Sequence, residues 1–274
     1  MTLNCNGALI DLSTPKVMGI LNCTPDSFYD GGKFKDEIGV LNQVETMIVD
    51  GATFIDIGGY SSKPGAEFVS EKEELQRILP IIRLVLQHFP KTIISVDTFR
   101  SAAAKIAVSE GAAIINDISA GNFDALMMPT IGQLQVPYIM MHLKGTPQTM
   151  HHFANYDSVI KEILYYFSEK IALAASYGIA DLLLDPGFGF AKTVAQNYEV
   201  LKNLEIFKLL ELPLLAGVSR KSMIYKTLDC TAHESLNGTT VLNTIALQKG
   251  AKLLRVHDVK EAVECIKLYT ALNA

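Results

Sequence analysis

Residues 92–118 read TIISVDTFRSAAAKIAVSEGAAIINDI. The stretch opens on TIISVD (92–97), a β-branched, almost unbroken apolar run that stops at an acid. It closes on AAIINDI (112–118), a second run of the same kind. Residues 100–110 between them are Ala-rich with Lys and Glu, which suits a helix, and Gly111 follows as its C-cap. Continuous apolar runs of this length fit parallel strands buried on both faces. The stretch therefore reads as strand, helix, parallel strand.

The same alternation extends in both directions. Further runs are KVMGIL (16–21), TFIDIG (53–58), PYIMMHL (137–143), LLLDPG (182–187), LLAGVS (214–219) and KLLRVH (252–257). Helix candidates are 71–88, with Pro80 as a kink, then 157–177, 196–210, 235–249 and 258–270. Gly51, Gly178 and Gly250 each precede the next strand, as Gly111 does. Eight strand–helix units predict a single (β/α)8 TIM barrel, with a doubly wound open sheet as the runner-up. The segment 3–12 reads as a short N-terminal hairpin closing the barrel bottom. No linker or composition shift divides the chain, so residues 1–274 are expected to form one domain.

Bulk properties agree. A chain of 274 residues is the usual size of one such barrel, and 49% hydrophobic with 19% charged residues is a globular balance. The net charge is −5 and no Lys/Arg-rich block appears, which excludes a general nucleic-acid surface. Local cations can still bind an anion. Cys5, Cys23, Cys230 and Cys265 are scattered without a CxxC pair, as expected of free thiols in a reducing cytoplasm. The N-terminus lacks a basic region before an apolar stretch, so no signal peptide is expected. No apolar run reaches membrane-span length, so no membrane association is expected.

Barrel active sites lie where strands end. Each run here ends in polar chemistry: Asn22; Gly58–Gly59 leading into Tyr60, Ser61, Ser62, Lys63, Pro64; Asp97; Asn116 with Asp117; His142 and Lys144; Asp185; Ser219, Arg220 and Lys221; Arg255 and His257. One strand-terminal Asp is often only a helix cap. Eight polar ends at one mouth are harder to dismiss. The set divides by charge. Lys63, Arg220, Lys221, Arg255 and His257 suit a polyanion, with Ser61 and Ser62 adding donors. Asn22 offers a neutral oxygen suited to one position of a hydrated Mg²⁺ carrying phosphate. Asp97, Asn116 and Asp185 offer acceptors or amides that fit a heterocycle presenting N–H groups. GFGFAK (187–192) lacks the spacing of a phosphate-binding loop, and His151 and His152 read as loop residues.

These residues carry a resemblance to the dihydropteroate synthase family. It spreads over MGILNCTPDSFYDGG, FIDIGGYSSKPGA, ISVDTFRSAAAKIAVSEGAAIINDISAG, MHLKGTPQTM, LLLDPGFGF, GVSRKSMI and LLRVHDVKEAVE, in order. The resemblance implies a TIM barrel, usually dimeric and cytoplasmic, that uses Mg²⁺ and is a sulfonamide target. It implies the joining of p-aminobenzoate to 6-hydroxymethyl-7,8-dihydropterin diphosphate, with release of pyrophosphate. By position it puts Asp97, Asn116, Asp185 and Lys221 on the pterin. Arg255 would stack on the ring and meet phosphate, while Ser62, Asn22 and His257 would serve the diphosphate, with Asn22 on the metal. Catalysis would lie with Lys221, Arg255, Asp97 and Asp185. Phe28, Ser62, Lys63, Pro64, Phe190, Ser219 and Lys221 would form the p-aminobenzoate pocket. TPDSFYDGG (24–32) reads as a lid over it, hinged at Gly31–Gly32.

The chain departs from the family pattern in the second loop. GGESTRPG is usual, and GGYSSKPG stands here, so Tyr60 replaces an acid and Lys63 loses the planar fork of an arginine. Ala191 stands where Gly is common. A methyltransferase acting on methyltetrahydrofolate and a non-catalytic pterin-binding paralogue are the rival readings. The TPDSF loop, SRK at 219–221 and RVH at 255–257 argue against the methyltransferase, which needs no diphosphate site, and the retained Asn22, Asp97, Asp185, Lys221, Arg255 and His257 argue against the paralogue.

Overall fold

The computed structural model describes residues 1–23, 33–60 and 68–273. Phe28, Ser62, Lys63 and Pro64, and the expected lid with its glycine hinge, lie outside the described residues.

The eight apolar runs form one closed parallel barrel. Its strands are β3 (Lys16–Asn22), β4 (Phe54–Gly58), β5 (Ile93–Asp97), β6 (Ile114–Asp117), β7 (Tyr138–Met141), β8 (Leu182–Asp185), β9 (Leu214–Ala216) and β10 (Ala251–Val256). They pair in chain order, and β10 closes on both β9 and β3. The open doubly wound sheet is thereby excluded. Strand period two divides each run between two cores. Val17, Leu21, Ile55, Ile57, Ile94, Val96 and Ile115 face outward, packed under the helices. Met18, Phe54, Ile114, Ile139, Leu183, Leu215 and Leu253 point into the barrel and fill its lower half.

The hairpin of β1 (Thr2–Cys5) and β2 (Ala8–Asp11) plugs that lower end. Leu3, Cys5 and Leu12 join the interior cluster, and the amide of Asn4 donates to Asp181 Oδ2 at 2.8 Å.

The helices are α1 (Lys33–Val49), α2 (Glu71–His88), α3 (Ser101–Ser109), α4 (Met127–Leu134), α5 (Val159–Ser176), α6 (Val194–Lys202), the single turn α7 (Ser222–Tyr225), α8 (Leu236–Gln248) and α9 (Val259–Leu272). Three of these, α1, α4 and the single turn α7, are additions to the helices expected from sequence. The α4 segment MMPTIGQL carries Pro129 and Gly132, both poor helix formers, and tertiary packing of Met127, Met128 and Ile131 decides it. The helix expected over 196–210 divides. Asn203 leaves helical geometry at φ −109°, its side chain bonds Glu199 O at 2.8 Å, and a 3-10 helix (Leu204–Leu210) follows. α2 runs unbroken through Pro80. Gly19 shows how closely the layers approach, since a Cβ there would lie 2.8 Å from Met47 Sδ and 3.1 Å from Val259.

Candidate active site

Above the apolar floor, the inward positions turn polar at the C-terminal ends of the strands. Register sets Asn22 beside Gly58, Gly58 beside Asp97, and Asp97 beside Asn116. One level lower, Asp56 lies beside Ser95. Asp185 ends β8 beside Met141, and Arg255 is inward on β10. The barrel brings Asn22, Asp97, Asn116, Asp185 and Arg255 to one mouth, although they are spread through the chain.

Arg255 spans the acids. Its Nε donates to Asp56 Oδ2 at 2.7 Å and its Nη2 to Asp97 Oδ2 at 2.9 Å. Asn116 Nδ2 also donates to Asp56 Oδ2, at 3.1 Å. Asp56 was not among the sequence candidates. Its signal was a charge inside the apolar run FIDIG, where a buried carboxylate demands a cation. Asp56 Oδ1 and Ser95 Oγ are buried without a hydrogen-bond partner among the described residues. Burial pushes the Asp97 carboxyl up to about 7. Arg255 opposes that rise, and Asp56, Glu74 and Asp117 add to it.

Across the mouth stand Asp185 and Lys221. Asp185 Oδ1 accepts from the Gly187 amide at 2.8 Å. Burial raises its pKa, with Lys221 the largest opposing influence. Lys221 Nζ donates to Phe188 O and lies 4.8 Å from the centre of the Phe190 ring. Burial brings this lysine down to about 8, and Asp185 holds it up. Ser219 Oγ and His257 Nδ1 are 3.0 Å apart, and the His257 amide donates to the same hydroxyl at 3.2 Å. The described members of both expected groups, Asn22, Asp97, Asn116, Asp185, Phe190, Ser219, Lys221, Arg255 and His257, thus occupy this end of the barrel.

Two expected cations turn elsewhere. Arg220 takes a left-handed φ of 54°, which sends its guanidinium away from the mouth while Ser219 and Lys221 stay on it. Its Nε and Nη2 hold Asp258 at 2.9 and 2.7 Å, and Nη1 reaches the carbonyls of Ala232 and His233. Arg220 is a clamp for its turn and leaves the polyanion set. Lys144 meets Glu162 at 2.5 Å and lies 3.8 Å from the Tyr156 ring centre.

The second-loop departure also has a physical setting. Tyr60 meets Phe99 edge to face at 5.3 Å, and its hydroxyl accepts from Gln148 Nε2 at 2.7 Å. The Arg100 guanidinium lies 5.7 Å from the Tyr60 ring and takes its carboxylate from buried Glu74. Ala191 keeps a positive φ of 46°, the backbone a glycine adopts without strain.

A barrel mouth with carboxylate and amide acceptors on its wall and cations across it defines a site for a polar heterocycle with an anionic end. Comparison with known proteins agrees: the model of the pterin binding enzyme family matches residues 18–257, and the chain belongs to that family and, within it, to the dihydropteroate synthases. Dihydropteroate synthase of Escherichia coli K12 is 44% identical over 273 residues, covering 99% of this chain and 96% of that one. The crystal structure of Yersinia pestis dihydropteroate synthase with a sulfonamide drug superposes with a TM-score of 0.93 at 41% identity, covering 100% of this chain and 99% of the other. Xanthomonas albilineans dihydropteroate synthase with 4-aminobenzoic acid superposes with a TM-score of 0.93 at 36% identity, covering 100% and 98%.

Proposed function

We propose that this barrel joins p-aminobenzoate to 6-hydroxymethyl-7,8-dihydropterin diphosphate, forming 7,8-dihydropteroate and pyrophosphate. The observation that carries the reading is the placement of Asp97 and Asn116 across the mouth from Asp185 and Lys221, with Arg255 bonded to Asp97. Asp97 and Asp185 accept the N–H groups of the pterin, and Asn116 and Lys221 bind its remaining polar edge. Arg255 occupies Asp97 Oδ2, so a pterin using both oxygens of Asp97 opens that bond. Asp56 then keeps the guanidinium at the mouth, where it lies over the ring and meets phosphate. His257 serves the diphosphate. Phe190, Ser219 and Lys221, with Phe28, Ser62, Lys63 and Pro64, make the p-aminobenzoate pocket.

The chemistry divides into two bond changes. The methylene C–O bond breaks, and its electron pair leaves on the diphosphate. The amine nitrogen forms the new C–N bond and then loses a proton. The pterin ring shares the positive charge left on the methylene, so the step is dissociative in character. An aromatic amine is neutral and nucleophilic near pH 7, so positioning and charge stabilisation carry most of the catalysis.

Asn22 fits a Mg²⁺ that arrives with the diphosphate. Among the described residues no three His, Cys, Asp or Glu side chains form a metal cage, and a phosphate-borne Mg²⁺ needs only one or two protein oxygens. Asn22, exposed at the end of β3, supplies one. When bound, the ion neutralises charge on the departing diphosphate.

The whole chain, 1–274, acts as one domain, and two copies pair as a homodimer in the cytoplasm. Exposed Val241, Leu268 and Leu272 on α8 and α9 give such a dimer an apolar face, and the four cysteines are free thiols suited to a reducing compartment. No helix among the described residues is long and apolar enough to cross a membrane.

Pyrophosphate release from the pterin diphosphate, with and without p-aminobenzoate, tests the reading. Release that p-aminobenzoate stimulates is expected. No release under either condition leaves a pterin binder without this activity.

A further inference from the structure

Among the described residues Lys192 is the one buried lysine or arginine, 9% exposed, and the proposed reaction gives it no part. Its Nζ lies 3.0 Å from Gly187 O, 3.1 Å from Phe190 O and 3.1 Å from His142 Nδ1. Burial brings Lys192 down to about 7 and Asp185 holds it up, so below that pH it is an ammonium whose three N–H donors each find one acceptor here. The third requires an unprotonated Nδ1. Burial, together with the charges of Lys192 and Lys144, pushes His142 down to about 2, so the ring is neutral and carries its proton on Nε2.

The two carbonyls bracket the turn 187–190 that follows β8. One side of this turn is fixed. Gly187, at φ +71°, lies so close to β7 that a Cβ would stand 2.2 Å from His142 O, and the Gly189 amide donates to Asn197 Oδ1 at 2.7 Å. The other side is the seat of Lys221, made of Phe188 O and the Phe190 ring. Lys192 thus grips from behind the turn whose front holds Lys221. Its charge also faces Asp185, adding to those of Lys221 and Arg255.

We propose that Lys192 is a positioning residue for pterin binding, drawing Gly187 O, Phe190 O and His142 Nδ1 together so that the turn presents a fixed seat to Lys221. This rests on the reading that Lys221 faces the pterin. A side chain without N–H donors at 192 releases the two carbonyls, and Lys221 loses its register with Asp185.

The test is a double-mutant cycle read by calorimetry, with 6-hydroxymethyl-7,8-dihydropterin as the probe. Lys192→Met, Lys221→Ala and the double variant are compared with the parent. Lys192→Met is expected to weaken binding about tenfold, the size of a coupled contact, and to add nothing once Lys221 is alanine. In the folded Lys192→Met protein, the 15N signal of His142 Nδ1 also shifts as its donor is lost. Parental affinity in Lys192→Met, or the same tenfold loss on top of Lys221→Ala, overturns the positioning role. Parental affinity in Lys221→Ala instead overturns the reading of the site beneath it. If the methionine variant does not fold, Lys192→Gln, which keeps donors for both carbonyls, takes its place in the cycle. A smaller loss with the same non-additivity is then expected, and parental affinity refutes the role.

Discussion

Asp56 and Arg220 are both charged residues at strand ends or within strands, and they end in opposite places. Asp56 is fully buried and gives one oxygen to both Arg255 and Asn116. Its removal leaves Arg255 with Asp97 alone. Asp56→Ala is expected to cost on the order of 3 kcal/mol of stability, as for a broken buried ion pair, and to raise KM for the pterin diphosphate. Urea denaturation with steady-state kinetics checks both, and an unchanged midpoint and KM would remove the anchoring role. Arg220 is bound to its own turn, so its loss acts through structure. Arg220→Ala gives up a two-point bond to Asp258 and should lower stability by about 1.5–3 kcal/mol, with kcat/KM falling as Ser219 and Lys221 lose their setting. A variant with full stability and a selective loss of diphosphate affinity would return Arg220 to the polyanion set. Sequence reading puts Arg220 at the mouth and passes over Asp56, because side-chain direction depends on the left-handed φ at Arg220 and on a partner 199 positions from Asp56.

At the scale of elements, the strands were the legible part. Their apolar runs match the barrel strands to within a few residues, because a strand buried on both faces needs an unbroken run. The same feature hides which side chains point inward, since both faces are apolar. Only the polar upper layer, from Asp56 and Ser95 to Asn22 and Asp97, marks the interior. Helices were less legible. Glu74 sits in the first turn of α2, where an acid usually serves the helix dipole in solvent. Instead it is fully buried against Arg100, which also bonds Val69 O and lies between the Tyr60, Phe68 and Phe99 rings. This joins α2 to the ends of β4 and β5, on both sides of 61–67. Glu74→Ala strands the Arg100 charge in that packing and should cost about 3–5 kcal/mol. A shift in midpoint under about 1 kcal/mol, the value of an exposed pair, would show that water reaches the guanidinium.

Across the whole molecule, the floor of the barrel supplies stability and the mouth draws on it. Leu3, Phe54, Ile114 and Leu253 pack below, while Asp56, Asp97, Asp185, Lys192 and Lys221 are held together above them. Burial acts against the charged form of Asp97, Asp185, Lys192 and Lys221 alike. Such a site favours ligand affinity at the expense of the fold. Asp97 makes the trade measurable, because its folded pKa of about 7 stands above the ordinary value of 3.8. A raised carboxyl binds its proton more tightly in the folded state. Its contribution to stability is therefore full below about pH 4 and lost as pH rises through about 7. Asparagine does not titrate. The stability of Asp97→Asn relative to the parent should accordingly grow from pH 4 to pH 7 and then level off. Pterin binding runs the other way, since only the carboxylate accepts two N–H groups. Parental affinity should fall as pH drops below about 7, and Asp97→Asn should bind more weakly by about 1–3 kcal/mol above it. Denaturation and calorimetry at pH 5 and pH 8 on the same two proteins read both trends. A pH-independent difference in stability, or equal affinity at pH 8, would show that the Asp97 charge is neither a burden on the fold nor the group that holds the pterin.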